Sequence, residues 1–311
     1  MKLLLPVMCI LLLRAADPPL YLRELSQIRS LLDKGDFRGA LVEAKLLNKK
    51  APDEIIGYQL VAAAELALGL YGDAEKSIQW MLDLKVGKTD SSGWMLVARF
   101  REATGDVDGA IEAVNQSFLR LAQGEDAEAR RLLSYSARLQ LLAGKLTRAE
   151  AAALEAMKTS APGDSLAVET LARVRFAQNR REEMVTALRE VPALHSNPRL
   201  LYLLAEGSGA ATDYSAFEKA AWRDTSSPGN ANRELTLYLA GKGANPSKAV
   251  QVARKEAERK GDVHTNDALA VALFANGEID EARKLMKAVL AVGTQDPEIL
   301  AHAAKLGVKA D

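Results

Sequence analysis

The sequence predicts an all-α superhelical solenoid of antiparallel helix pairs, about eight repeats long, with a C-terminal capping helix. Three observations predict it. The first is a recurring phrase: glycine, a polar residue, a bulky residue, two polar residues, then alanine. It appears as Gly35 to Ala40, Gly69 to Ala74, Gly105 to Ala110, Gly144 to Ala149 and Gly277 to Ala282. The step from Ala40 to Ala74 is 34 residues, a period that belongs to stacked helical hairpins rather than to one globular core. The second is composition: only 5% of residues are aromatic and alanine is abundant, which favours closely packed helices. The third is the end of the chain, where Asp296-Pro297 reads as an N-cap followed by proline in the first turn.

Each repeat can be placed by its anchor alanine. Met184, Phe217 and Ala249 fit less well, and with them the steps are 34, 36, 39, 35, 33, 32 and 33 residues. The position twelve before each anchor holds Ile28, Ala62, Ala98, Ala137, Ala172, Ala205, Leu237 and Ala270. Small residues at two facing positions let helix axes approach closely. Glycine five before the anchor ends the first helix in a left-handed cap. Phe37 and Tyr71 then fill the turn, and Pro52 falls where the second helix should end. Between about 178 and 248 the pattern weakens. There Gly207 to Ala210 and Ser226 to Asn230 interrupt it, as a bend or a divergent pair of hairpins. The expected organisation is 17–178 regular repeats, 179–248 divergent repeats and 249–311 C-terminal repeats with the capping helix.

This pattern closely resembles the tetratricopeptide repeat (TPR) family over roughly residues 21 to 296. The matching features are the small residue in the first helix, alanine opening the second, proline after it, and Trp94 sixteen before Ala110. The resemblance implies a concave groove, lined by the first helix of each unit, that takes peptide segments. The asparagines of the two-carboxylate clamp found in some members are not matched.

Lys+Arg and Asp+Glu both total 41 in 311 residues. With no net field, nothing points to nucleic acid or to an anionic membrane. Met1-Lys2, the apolar run Leu3 to Leu13 and Arg14-Ala15-Ala16 describe a secretory signal peptide over residues 1–16. Eleven apolar residues are too few to span a bilayer as a helix. The alternative is an uncleaved apolar N-terminal helix. An exported protein, periplasmic or secreted, is expected. Cys9 is the single cysteine. Met8 before it is not small, which argues against lipidation, and removal of the signal leaves a mature chain without thiol chemistry.

Chemistry is sparse. His195, His264 and His302 have no metal-ligand spacing. His264 and His302 read as a cap and a packing residue. There is no P-loop, and Gly207-Ser208-Gly209 lacks the preceding strand that a dinucleotide fingerprint needs. Tyr58, Trp80, Trp94 and Tyr135 read as packing between repeats, with Trp222 less settled. No enzyme activity, metal or cofactor is expected.

Specificity should therefore lie in the groove. The residues eleven before the anchors of units three, four and five are Arg99, Arg138 and Arg173. Arg131, Glu169, Glu102 and Phe176 should share their surface. Arginines in register suit an acidic or C-terminal segment of a partner, unless Glu102, Glu169 and Glu206 neutralise them. The expected function is a non-catalytic scaffold binding protein or peptide segments. The alternative is a structural part of a cell-envelope or secretion complex.

Overall fold

A computed structural model describes residues 22–84, 87–158, 165–192, 194–227 and 229–309. The expected signal peptide lies outside the described residues. Among the described residues the regular structure is helical, with no strand.

Eight antiparallel pairs follow one another. The first helices are α1 Leu22–Asp33, α3 Ile55–Ala67, α5 Ser91–Ala103, α7 Asp126–Leu142, α9 Ser165–Ala177, α11 Pro198–Ser208, α13 Asn232–Ala240 and α15 Val263–Ala275. Their partners are α2 Phe37–Lys50, α4 Tyr71–Asp83, α6 Val107–Phe118, α8 Leu146–Lys158, α10 Arg181–Arg189, α12 Ala211–Arg223, α14 Pro246–Arg259 and α16 Ile279–Ala291. A last helix, α17 Pro297–Lys305, covers the end. Asp296 caps it by accepting from the Glu298 and Ile299 amides at 2.8 and 3.4 Å. Ile299, Ala303 and Leu306 bury its apolar face, which an end unit without a neighbour requires.

The turn inside each pair explains the recurring phrase. Gly35, Gly69, Gly105, Gly144 and Gly277 all have positive φ, between 69° and 86°. Unit five keeps that conformation with Asn179 at φ 61° and unit seven with Ala244 at φ 46°. Asparagine tolerates the left-handed region, so unit five is regular in backbone though irregular in sequence. The amide of each anchor closes the first turn of the second helix, as in Ala40 to the Asp36 carbonyl at 2.9 Å. Ala40, Ala74, Ala110, Ala149, Ala249 and Ala282 are fully buried.

Units six and seven depart from the expected frame. The turn is two residues in unit six and five in unit seven, against three in the others. In unit six the residue closing the first turn is Tyr214, whose amide donates to the Ala210 carbonyl at 3.2 Å. Phe217 lies one helical turn further on. Counted from the end of the first helix, the facing residues are therefore Leu203 and Leu235, both buried. They replace Ala205 and Leu237. Larger side chains at this contact are matched by an aromatic cluster. Phe217 lies 5.1 Å from Tyr202 and 5.7 Å from Tyr238 between ring centroids, and Tyr214 stacks on Tyr238 at 5.5 Å.

The aromatics of the early units divide. Tyr135 is buried. Trp80 meets Tyr58 edge-on at 6.5 Å yet stays 57% exposed, so it is not a core residue. Trp94 donates to the Lys88 carbonyl at 3.1 Å and lies under Arg120. Trp222 is partly exposed, with Lys248 6.0 Å from its ring.

The array also closes on itself. The turns of units two and three pack against the loops that follow α14 and α16, and the turn of unit one packs against the Arg259 side chain at the end of α14. The Gly261 amide donates to the Ala67 carbonyl at 3.1 Å, and the Val263 amide donates to the Tyr71 hydroxyl at 3.0 Å. A Cβ at Gly69 would lie 2.1 Å from the Gly261 carbonyl oxygen, and one at Gly105 would lie 2.0 Å from that of Gly293. Two backbones approach there more closely than any side chain permits. Burial, with Asp262 alongside, pushes the Tyr71 phenol up to about 12, so it remains a neutral hydroxyl.

Candidate functional site

The array frames a half-open cavity of about 850 Å³ on its concave side. The first helices of units four to eight supply most of its wall, with α14, the start of α17, single residues of α8 and α10 and the neighbouring loops supplying the rest. Leu141, Leu142, Leu166 and Phe176 make one part apolar. The size and mixed lining are those of a ligand site rather than a packing defect.

The charged part is built from ion pairs across units. Arg138 of α7 binds Glu102 of α5 at 2.6 Å. Glu102 also accepts from the Tyr135 hydroxyl. Glu102 raises the Arg138 guanidinium further, against the opposing effect of burial. Arg173 binds Glu169 one turn earlier on α9 at 3.0 Å. Burial opposes ionisation of Glu169, but Arg173 and then Arg199 hold its carboxyl below the usual range. Arg233 of α13 spans Asp267 at 3.5 Å and Glu298 at 3.1 Å. Asp267, fully buried, also pairs with Nδ1 of His302 at 2.9 Å. This cluster joins unit seven, unit eight and the capping helix. Glu256 accepts from Asn232 at 2.8 Å and lies 3.5 Å from Lys260.

The expected arginine strip is not a free cationic surface. Arg138 and Arg173 line the cavity, but each already holds a carboxylate. Arg99 is exposed on α5 and does not line the cavity. Arg131 is also outside the lining, with its side chain 69% exposed and paired with Glu128 at 2.6 Å. Glu169 and Phe176 are in the wall, and Arg181 lies over the Phe176 ring at 4.6 Å. Glu206 lines the cavity and holds Lys242 at 3.0 Å. Sequence reasoning missed Arg199, Tyr202, Arg233 and Glu234, all from units six and seven. Both units have turns of altered length, so the spacing that placed Arg138 and Arg173 does not carry over to them.

His264 lies in the wall with Nε2 at 3.5 Å from Arg138 and Nδ1 at 3.9 Å from Asp296. A guanidinium only donates, so Nε2 is the acceptor and carries no proton. Burial first, then Arg233 and Arg138, hold its pKa below the usual histidine range, against Asp262 and Asp296. The unfolded chain then takes up a proton near pH 6.5 that the folded chain refuses until lower pH. His264 therefore contributes stability above pH 6.5 that is lost as the pH falls toward its folded value. The expected result is a melting temperature that declines from pH 7 to 5.5, less steeply in His264→Asn, read by differential scanning calorimetry.

No family model matches the chain, and no curated protein matches it. Solved structures do. The human IFIT1 dimer with PPP-AAAA superposes with a TM-score of 0.54 at 11% identity, covering 86% of this chain and 72% of that one. A chain of the APC/C hetero-tetramer Cut9-Hcn1 gives 0.49 at 13% identity, with 91% of this chain covered but only 55% of that one. A tetratricopeptide repeat protein from Parabacteroides merdae gives 0.43 at 15% identity, with 92% and 98% covered. The fold is TPR-like. At these identities the likeness is one of fold alone, so the use of the TPR-like cavity is argued from its own residues.

Proposed function

We propose that this TPR-like array is a non-catalytic binding module that takes a protein or peptide segment into its concave cavity. The observation that supports the reading is the cavity itself, which joins an apolar wall to polar groups held in place by rigid helices. An acidic segment, the finer form of this reading, would depend on Arg138 and Arg173, and both guanidiniums are already engaged by Glu102 and Glu169. The apolar N-terminal run adds the proposal that the module works outside the cytoplasm. Alkaline-phosphatase fusion tests that part, with an inactive fusion counting against export.

A structural part of a larger assembly would instead use the convex side. A photo-crosslinking amino acid placed at Phe176 in the cavity should capture a partner segment. The same group at Lys219, exposed on α12 away from the cavity, should not. Capture only from 219 would reject the groove reading in favour of assembly through the outer face.

A further inference from the structure

The charge left over in the cavity is negative. Its wall carries seven carboxylates against five lysine and arginine side chains. Four of those cations are in ion pairs: Arg138, Arg173, Arg233 and Lys260. The fifth, Arg199, donates to the Asn230 carbonyl at 3.0 Å. His264 adds no charge at neutral pH, because burial and two neighbouring guanidiniums disfavour its protonation.

Glu234 differs from the other carboxylates. It sits on α13, is only 6% exposed, and lines the cavity. Among the described residues, its carboxylate has no hydrogen-bond or ion-pair partner. Its charge is nonetheless felt by Arg173, Arg233 and Tyr202, which places it in the middle of the charged wall. Its oxygens are not among the sealed polar atoms without a partner, so they open to the cavity. A carboxylate that faces a mixed polar and apolar cavity and is not used by an internal hydrogen bond or ion pair is available to a ligand. Tyr202 adds a hydroxyl to the same wall, again without a partner among the described residues. The leucines of α7 and α9 supply apolar surface in the same cavity.

We propose that the cavity recognises a basic side chain, a lysine or arginine on a peptide segment with apolar neighbours, and that Glu234 receives its cation. The inference rests on the peptide-binding reading above and gives it a sign. A charge-assisted bond between an ammonium or guanidinium and a carboxylate is stronger than one between neutral groups. The Tyr202 hydroxyl provides a second acceptor for the same head group.

The test is isothermal titration of the full chain with four probes. Three are acetylated, amidated pentapeptides with glycine at each end, leucines flanking the centre, and lysine, glutamate or norleucine at the centre. The fourth is n-butylamine. The lysine peptide should bind most tightly. Glu234→Gln should weaken it by about tenfold or more and leave the norleucine peptide unchanged. The near-isosteric variant should also melt at about the same temperature as the parent. Tighter binding of the glutamate peptide, unchanged lysine affinity in Glu234→Gln, a markedly lower melting temperature, or no binding of any probe would each overturn the proposal. Butylamine binding as well as the lysine peptide, with the same dependence on Glu234, supports the cation site and defeats the peptide reading.

Discussion

Gly105→Ala opens the array, whereas Gly144→Ala leaves it closed. Both glycines have positive φ, 86° and 69°, so both substitutions incur a left-handed strain of about 1–2 kcal/mol. Only at Gly105 does the new Cβ meet another backbone, 2.0 Å from the Gly293 carbonyl oxygen; at Gly144 nothing lies within 4 Å. Neither carbonyl nor loop can yield that distance without parting the two ends. Small-angle scattering should show a larger radius of gyration for Gly105→Ala and for Gly69→Ala. Gly144→Ala and Gly277→Ala should match the parent in shape and lose only the cap energy in chemical denaturation. Equal scattering from all four variants would mean that the ends do not hold one another in solution.

Phe217→Ala should cost about 3–5 kcal/mol, the largest effect expected from a single side chain here. Phe217 is fully buried and packs on both Tyr202 and Tyr238. Leu203 and Leu235 belong to the same core. Urea denaturation measures the loss. Because Tyr202 reaches from this cluster into the cavity wall, the variant should also weaken ligand binding. Phe217→Leu, which restores most of the volume, should recover much of both.

The regular units were legible because one physical requirement repeats in them: a left-handed turn, then a small residue against a small residue. The same requirement is met differently where it was hard to read. Asn179 replaces glycine without changing the backbone, Tyr214 replaces alanine by enlarging the opposite surface, and the turn before Ala249 is two residues longer. Length changes in turns leave no periodic signal, so the frame slipped by one helical turn at Phe217. The closure was not legible either, since Gly69 and Gly105 look like ordinary caps until Gly261 and Gly293 are seen against them. For the cavity, spacing singled out Arg138 and Arg173, and both line the wall. The same spacing offered Glu102 and Glu169 as groups that could neutralise them, but it did not mark Glu234, which lies in a unit whose turn is two residues longer.

The contact between Tyr71 and Val263 joins residues 192 apart in sequence, and this bears on how the chain folds. Helix pairs form from neighbours and can nucleate anywhere along an open array. Bringing the two partners together from an unfolded chain costs about 5 kcal/mol in loop entropy, so the seam forms only after the intervening pairs have already curved the chain. Refolding is then expected to show a fast phase of hairpin formation and a slower, final docking of the last units on the first. Until that docking is complete the cavity has no finished wall, so the capacity to bind appears with the slow phase and not with helix content.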